Sequence, residues 1–168
     1  MLKNEDIRCF RKIREKHKNN KIVFASGTFD LPHAGHILFL EDCKNLGDIL
    51  VVGVGSDAIT RARKGKERPL VNERVRLKTI LSFKPVDYCF LDNSSSNEKP
   101  LNFLKEVFEH LEPDVYVIND DAFDIPYREK LTKKYGVELV ILKRTCPPEF
   151  ENISTSGLIE KIKGLNQK

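Results

Sequence analysis

The stretch GTFDLPHAGH, residues 27–36, constrains the fold of this chain more than any other feature of its 168 residues. An apolar run at residues 22–25 precedes it and is typical of a buried strand, and apolar side chains in residues 37–46 recur at the spacing of a helix packed by one face. The stretch therefore predicts a tight strand-to-helix connection, with Gly27 and Gly35 near its two ends. A helix N-terminus with unpaired N–H groups and a positive dipole end is a natural site for phosphate.

Two histidines, His33 and His36, lie three residues apart at the start of this predicted helix. Imidazole N–H groups donate hydrogen bonds to phosphate oxygens, so the pair indicates a triphosphate site. The alternative is a histidine pair that only caps a structural helix. Because ten consecutive residues, and not the two histidines alone, form a motif at a strand–helix junction, the phosphate site is favoured.

Strand and helix patterns alternate along the rest of the chain. Four further buried strands are predicted at residues 48–54, 86–91, 114–118 and 137–142. Helices are predicted at residues 72–83, 101–111 and 127–135, and residues 158–162 are expected to lie within a last helix. This order predicts an α/β fold: a single Rossmann-like domain with a five-stranded parallel sheet and helices on both faces. Ligands of such sheets bind beyond the carboxyl ends of the strands, where the stretch 27–36 is expected to lie.

The positive charge is concentrated at the N-terminus. Residues 1–21 carry eight Lys or Arg against three acids, whereas the rest of the chain is close to neutral. Ile7, Phe10 and Ile13 suit one apolar stripe of a helix, so residues 1–20 are expected to form a basic helix packed on a domain of residues 21–168. A solvated helix face explains these charges better than a nucleic-acid surface, and we expect no nucleic-acid partner.

Composition agrees with a compact cytoplasmic protein, and we expect no membrane partner. The chain is 40% hydrophobic and 32% charged, and it has no apolar run of membrane-spanning length. The first six residues lack the apolar centre of a signal peptide. The four cysteines are scattered without a CxxC pair, so we expect reduced structural thiols and no protein-bound metal site.

Three more segments are expected at the same sheet edge. Residues 61–69 hold five cations and one acid, a composition that suits either a phosphate-binding loop or a solvated loop. Lys64 is the candidate phosphate ligand in this segment, and Arg76, one turn into the following helix, is a second candidate. Asn119, Asp120 and Asp121 follow the fourth strand and suit either a sugar, base or Mg²⁺ contact or a simple turn. The third segment, Ile153, Ser154, Thr155 and Ser156, opens the last helix with hydroxyl groups that serve as an N-cap, as phosphate ligands, or as both.

These segments resemble the cytidylyltransferase-like nucleotidyltransferases. The stretch 27–36 resembles their HxGH signature, and residues 153–156 resemble their ISTT-type motif, with Ser156 in place of the usual second threonine. Residues 21–92 are similar to the adenylyltransferase half of the bifunctional heptose-phosphate enzymes. The pairs and residues that match in order are Gly47-Asp48, Ser56-Asp57, Lys64-Gly65, Arg68-Pro69, Arg76 and Val86-Asp87.

The resemblance implies transfer of a nucleotidyl group to a phosphate, with release of pyrophosphate. His33 and His36 would stabilise the transition state and Lys64 would grip phosphate. Nucleotide contacts are implied for Gly27, Thr28, Phe29, Asp30, Gly35, Arg76, Asn119, Asp120, Asp121, Arg144, Ile153, Ser154, Thr155 and Ser156. Mg²⁺ is expected with the triphosphate, bound mostly through its oxygens and water.

The nucleotide and the acceptor stay open in the sequence. The matches over residues 21–92 favour ATP, whereas Asn119-Asp120-Asp121 resembles the GDD stretch of the cytidylyltransferases and favours CTP; ATP is preferred. Arg144-Thr145 resembles the RT of glycerol-3-phosphate cytidylyltransferase, but residues 146–152 form an insertion before the last motif. The expected acceptor is a small sugar or polyol phosphate, and a homodimer is usual in the resembled family. The alternatives are an enzyme that makes FAD, NAD or a coenzyme A precursor, and a nucleotide-binding module without catalysis.

Overall fold

A computed structural model of the protein describes residues 4–92, 101–143, 147 and 153–165, with side chains from residue 7 onward. Five parallel strands form one sheet in the order β3-β2-β1-β4-β5. The strands are β1 Ile22–Gly27, β2 Ile49–Gly55, β3 Tyr88–Asp92, β4 Val115–Asn119 and β5 Glu138–Leu142. The helices are α1 Asn4–Lys16, α2 Ala34–Lys44, α3 Asp57–Lys64, α4 Glu73–Leu81, α5 Phe103–His110, α6 Ile125–Tyr135 and α7 Thr155–Leu165.

Helices cover both faces of the sheet, as the alternation predicts. On one face, Leu40 of α2 and Ile80 of α4 pack with Val23 and Ala25 of β1. On the other face, helices α1, α5 and α6 pack with Phe24. Successive side chains of a strand point to opposite faces, so the near-continuous apolar runs of the central strands are required by burial on both sides. The predicted fold class and five-stranded parallel sheet are confirmed.

Helix α3 is the main difference from the predicted elements. Residues 61–69 were expected to form a loop, but the first four of them lie in the last turns of α3. The hydroxyl of Ser56 caps this helix by accepting a hydrogen bond from the N–H of Ile59 at 3.3 Å. Helix α7 contains residues 158–162 and begins at Thr155, among the hydroxyl residues that were predicted to open it.

Helix α1 is part of the core. Phe10 is only 1% exposed, and its ring meets the edge of Phe90 at a centroid distance of 4.7 Å. Arg14 donates to the carbonyls of Leu111 and Glu112 and forms an ion pair with Asp114 at 2.9 Å. Part of the basic charge of this helix therefore holds α1 against the segment between α5 and β4. None of the helices in the described part of the chain has the length and apolar character to cross a bilayer.

The carboxyl ends of three neighbouring strands form the edge that the sequence points to. β1 ends at Gly27, β2 at Gly55 and β4 at Asn119, and β1 lies between the other two. The stretch 27–36 leaves this edge from the central strand and leads into α2. Segments that follow β2 and β4 therefore stand on either side of it.

Candidate functional site

The turn between β1 and α2 is held in a strained conformation. Phe29 and Leu31 both adopt left-handed backbone angles, with φ of 51° and 50°. Non-glycine residues rarely adopt such angles, and strain of this kind persists where the surrounding structure enforces it, often at functional sites. A Cβ atom at Gly27 would lie 3.0 Å from the ring of Phe29, so glycine is required there for the ring to pack on the strand end.

The two histidines stack at the N-terminus of α2. Their ring centroids are 3.9 Å apart with an interplanar angle of 30°, and the edge of Phe29 packs on His36 at 5.4 Å. The N–H of His33 donates to Nδ1 of His36 at 3.3 Å. Since Nδ1 accepts, the geometry assigns the proton of a neutral His36 to Nε2. Nε2 is therefore the donor atom of a neutral His36 ring.

Helix α7 begins beside the start of α2. The hydroxyl of Thr155 donates to the carbonyl of Asp30 at 2.7 Å. A Cβ atom at Gly35 would lie 3.3 Å from the carbonyl of Ile153, so the two segments meet at a position where a side chain would crowd them. The hydroxyl of Ser154 accepts from the N–H of Gly157 at 3.1 Å and caps α7. Two helix N-termini, each with a positive dipole end, therefore converge on the histidine turn.

Asp30 points inward and anchors the segment that follows α3. Its carboxylate accepts hydrogen bonds from Nε of Arg68 at 2.7 Å and from the N–H groups of Leu70 and Val71 at 3.0 and 3.1 Å. Its side chain is only 1% exposed. This placement favours a positioning role for Asp30 over the nucleotide contact predicted from the sequence.

The hydrogen bonds of Asp30 also set its charge state. Burial raises the pKa of the Asp30 carboxyl, but hydrogen bonds from Leu70, Val71 and Arg68, with the positive charge of Arg68, hold it below the usual value of 3.8. A group whose pKa is lower in the folded state than in the unfolded state binds fewer protons when folded. Its stabilising contribution is therefore present above about pH 4 and is lost as the pH falls through the lowered value.

We expect the free energy of unfolding to decline as the pH falls below about 4, and Asp30→Asn to remove part of that decline. The variant cannot gain or lose the proton that links stability to pH at this position. Urea unfolding across this range, compared with Asp42→Asn on the exposed side of α2, measures the difference. Equal pH slopes for wild type and Asp30→Asn would contradict the assignment.

Arg76 is fully buried and braces the site from behind. Its Nε donates to the carbonyl of Val71 at 2.9 Å, its Nη1 donates to the carbonyl of Thr28, and its Nη2 pairs with Asp57 at 2.8 Å. With 0% exposure, the side chain presents no surface to a nucleotide. Its role is to fix the carbonyl of Thr28 and the start of α3, which differs from the contact role predicted for it.

The remaining predicted residues lie at the same edge. Lys64 is exposed in the last turn of α3, and Gly65 follows with a φ of 95° that favours glycine. Asn119 ends β4, and a hydrogen bond of 3.0 Å from the N–H of Ala122 to its carbonyl closes a turn that leaves Asp120 and Asp121 exposed. Ser156 is exposed in the first turn of α7. Arg144 and the rest of the 144–146 and 148–152 segments lie outside the described residues.

The side chains at this edge do not form a cage for a metal ion. In the described ranges, no three His, Cys, Asp or Glu side chains are grouped as metal ligands would be. The carboxylate of Asp30 is occupied by its three donors. Mg²⁺ commonly reaches nucleotide sites bound mainly by triphosphate oxygens and water, with one or two carboxylates at most.

Sequence reasoning missed a second cationic cluster at this edge. Arg128 of α6 is 5% exposed and lies over the ring of Tyr116 at 5.7 Å. Arg63 of α3 lies over the ring of Phe123 at 4.9 Å. Arg63 belongs to the cationic segment 61–69, but no local signal pairs it with Arg128, which lies 65 positions later in the sequence.

The chain is similar to a known family over most of its length. The model of the cytidylyltransferase-like family matches residues 24–161. The bifunctional protein HldE of Citrifermentans bemidjiense is 36% identical over 164 residues, which cover 96% of this chain and 31% of that protein. HldE of Helicobacter pylori is 37% identical over 153 residues, which cover 90% of this chain and 30% of that protein. The chain thus spans about a third of the length of these curated relatives.

Two solved structures are similar to the fold. The lipopolysaccharide core biosynthesis protein of Thermoplasma volcanium has a TM-score of 0.58 and 32% identity, over 75% of this chain and 97% of that chain. Pantoate-beta-alanine ligase of Francisella tularensis has a TM-score of 0.61 and covers 96% of this chain and 77% of that chain. At 16% identity, the second likeness concerns the fold alone.

Proposed function

This chain belongs to the cytidylyltransferase-like family, and from that premise we propose that it transfers AMP from ATP to the phosphate of a sugar phosphate and releases pyrophosphate. Similarity to the HldE proteins supports ATP over CTP, because residues 21–92 resemble the adenylyltransferase half of the heptose-phosphate enzymes. A phosphate of the heptose class is the acceptor that this similarity favours.

The observation that carries this proposal is the convergence of α2 and α7 on one turn. Two helix N-termini, a histidine pair and the hydroxyls of Ser154 and Thr155 lie at the turn that follows β1. Such an arrangement concentrates N–H donors and positive dipole ends where a triphosphate carries its negative charge. No side chain is required to act as a nucleophile, because catalysis of such transfers rests on positioning and charge stabilisation.

The proposed reaction is a single in-line displacement. An oxygen of the acceptor phosphate forms a bond to the α-phosphorus as the bond from that phosphorus to the bridging oxygen of the β-phosphate breaks, and pyrophosphate leaves with the electron pair. His36 donates from Nε2, and His33 supports it, where negative charge accumulates. Thr28 and the backbone of Phe29 hold the α-phosphate side. The hydroxyls of Ser154 and Ser156 and the N–H group of Thr155 hold the β- and γ-phosphates, since the Thr155 hydroxyl donates to Asp30.

Lys64 is proposed to hold the leaving pyrophosphate. We expect Lys64→Ala to raise the KM for ATP or to lower kcat by about tenfold, since a hydrogen bond to a charged group contributes ~1.5–3 kcal/mol. Secondary structure is expected to stay unchanged, because the side chain is exposed. Steady-state kinetics with Lys78→Ala, an exposed lysine on α4, as the control measure this effect. ATP kinetics equal to those of the control would assign Lys64 to a solvated surface.

The physical setting of the reaction is part of the proposal. Mg²⁺ is expected to accompany ATP and to be bound by the triphosphate oxygens and water. The described cysteines, Cys9, Cys43 and Cys89, are free thiols, which supports a reducing compartment such as the cytoplasm. A homodimer is proposed from the resembled family, and light scattering after size-exclusion chromatography would test it.

A screen for pyrophosphate release tests the proposed function. ATP and CTP, each with Mg²⁺, are combined with a panel of sugar, polyol and amino-alcohol phosphates, and His36→Ala serves as the inactive control. The proposal predicts release with ATP and a sugar phosphate. Release with CTP alone would replace the nucleotide, and nucleotide binding without release from any acceptor would indicate a module without catalysis.

A further inference from the structure

Arg128 is a buried cation for which the described residues supply no acidic partner at ion-pair distance. Its Nε donates to the carbonyl of Phe123 at 2.8 Å, and its Nη1 donates to the hydroxyl of Tyr116. Both partners are neutral, and within the described ranges no carboxylate lies at ion-pair distance and no hydrogen bond joins its Nη2 to another residue. Burying a charge without a counter-charge is costly, so this arrangement needs a physical reason.

A second arginine comes to the same place. Arg63 lies over the ring of Phe123, the residue whose carbonyl accepts from Arg128. Burial and then the positive charge of Arg63 lower the pKa of Arg128 to about 10, which leaves it charged at pH 7. Burial lowers the pKa of Arg63 from its usual value, and the negative charge of Asp92 opposes that change. Two guanidinium groups thus share a region in which one acid compensates them only in part.

The contrast with Arg76 separates this cluster from a structural brace. Arg76 is also buried, but it has an ion pair with Asp57 as well as two carbonyl acceptors. Arg128 has one carbonyl and one hydroxyl. Guanidinium groups bind phosphate through paired N–H donors, and clusters of them with displaced pKa values occur at functional sites.

The cluster lies over the end of the central strand. Arg63 follows β2 and Phe123 follows β4, and β1 runs between these strands, so their contact crosses the carboxyl end of β1. The hydroxyl of Tyr116 is 3.4 Å from that of Ser26, the residue before Gly27 at the end of β1. Ser26 follows Phe24 by two positions and belongs to the face of the sheet opposite to α2.

We propose that Arg63 and Arg128 bind the phosphate of the acceptor, in a subsite on the face of the sheet opposite to α2. This inference rests on the proposed function. An in-line displacement requires the attacking oxygen to approach the α-phosphorus from the side opposite to the leaving pyrophosphate. Pyrophosphate is held over the starts of α2 and α7, and the two arginines lie on the other side of the end of β1. The acceptor phosphate thus enters where the charge of Arg128 lacks compensation.

Nuclear magnetic resonance of the arginine Nε–Hε groups tests the subsite. The probe is inorganic phosphate, titrated into ¹⁵N-labelled chain saturated with Mg²⁺ and an ATP analogue whose α,β bridge resists cleavage. We expect phosphate to shift the signals of Arg63 and Arg128. Arg63→Gln should lower the affinity for phosphate about tenfold, because one charge-assisted contact is lost. Arg128→Lys should also weaken it, and Lys130→Gln, an exposed cation on the same helix, should not.

The outcomes separate the subsite from the nucleotide site. Unmoved arginine signals, or equal phosphate affinity in Arg63→Gln and wild type, would overturn the subsite. It is also overturned if the analogue alone shifts both signals and prevents phosphate from binding, since the arginines would then serve the triphosphate. Failure of the analogue to bind would overturn nucleotide transfer, while phosphate at the two arginines would still support an anion site. Arg63 is exposed, so this arm does not depend on whether Arg128→Lys folds.

Discussion

Replacement of His36 by alanine is expected to lower kcat by a hundredfold or more while changing the KM for ATP little. Nε2 carries the proton of a neutral ring because Nδ1 accepts from the backbone N–H of His33, and His36 lies in the first turn of α2, where the proposal places the triphosphate. Loss of one such donor typically costs ~3 kcal/mol of transition-state stabilisation. Steady-state kinetics of pyrophosphate release measure the split between kcat and KM.

His110→Ala is the control that shows whether the loss of activity is specific to His36. His110 lies at the end of α5, where it contacts Arg11 and Glu106 away from the carboxyl edge of the sheet. We expect His110→Ala to retain normal turnover. Circular dichroism should show both variants folded, since the histidine turn lies at the edge of the sheet. Near-normal turnover of His36→Ala would remove the histidine from the mechanism.

Replacement of Arg76 by leucine is expected to destabilise the protein by ~3–5 kcal/mol, the usual cost of removing one partner from a buried ion pair. The change leaves Asp57 without its cation and the carbonyls of Val71 and Thr28 without a donor. Typical domains unfold at a cost of only ~5–15 kcal/mol, so this is a large share of the total. Activity should fall as well, because the carbonyl of Thr28 loses its fixed position.

Urea unfolding measures this loss, with Arg74→Leu as the control. Arg74 is exposed on the same helix, two residues earlier, so its replacement changes charge and helix composition without opening the buried contacts. We expect the control to stay near wild-type stability. If Arg76→Leu lowered the free energy of unfolding by less than ~1 kcal/mol, Arg76 would not brace the site. That loss corresponds to a change of about fivefold in the folding equilibrium.

The fold follows from apolar patterns where such patterns exist. The strands were predicted within two residues of their observed starts because parallel strands buried on both faces are apolar throughout. Helix α3 escaped prediction because its sequence, DAITRARK, has too few apolar residues to form a stripe. Its ends carry other helix signals, a Ser56 cap and cations in the last turn, which complement the helix dipole.

Some residues of the site can be predicted from short sequence motifs, whereas others depend on contacts between residues that are distant in the sequence. The histidines and the Thr155 hydroxyl belong to short motifs whose residue types and order suffice to suggest phosphate chemistry. Asp30 and Arg76 also belong to matched segments, but the structure turns both inward, towards partners about 40 and 48 positions away. Arg128 could not be identified from its helix pattern, because its environment is created by β4 and by α3.

Transfer of label from ATP tests the central claim most directly. The chain is incubated with Mg²⁺, a heptose or hexose phosphate, and ATP labelled with ³²P at either the α- or the γ-position, and the products are separated. Nucleotidyl transfer predicts that the α-label appears in a sugar nucleotide and that the γ-label appears in pyrophosphate. Appearance of the γ-label in the sugar product, with ADP released, would contradict the account, because it would place the displacement at the γ-phosphorus.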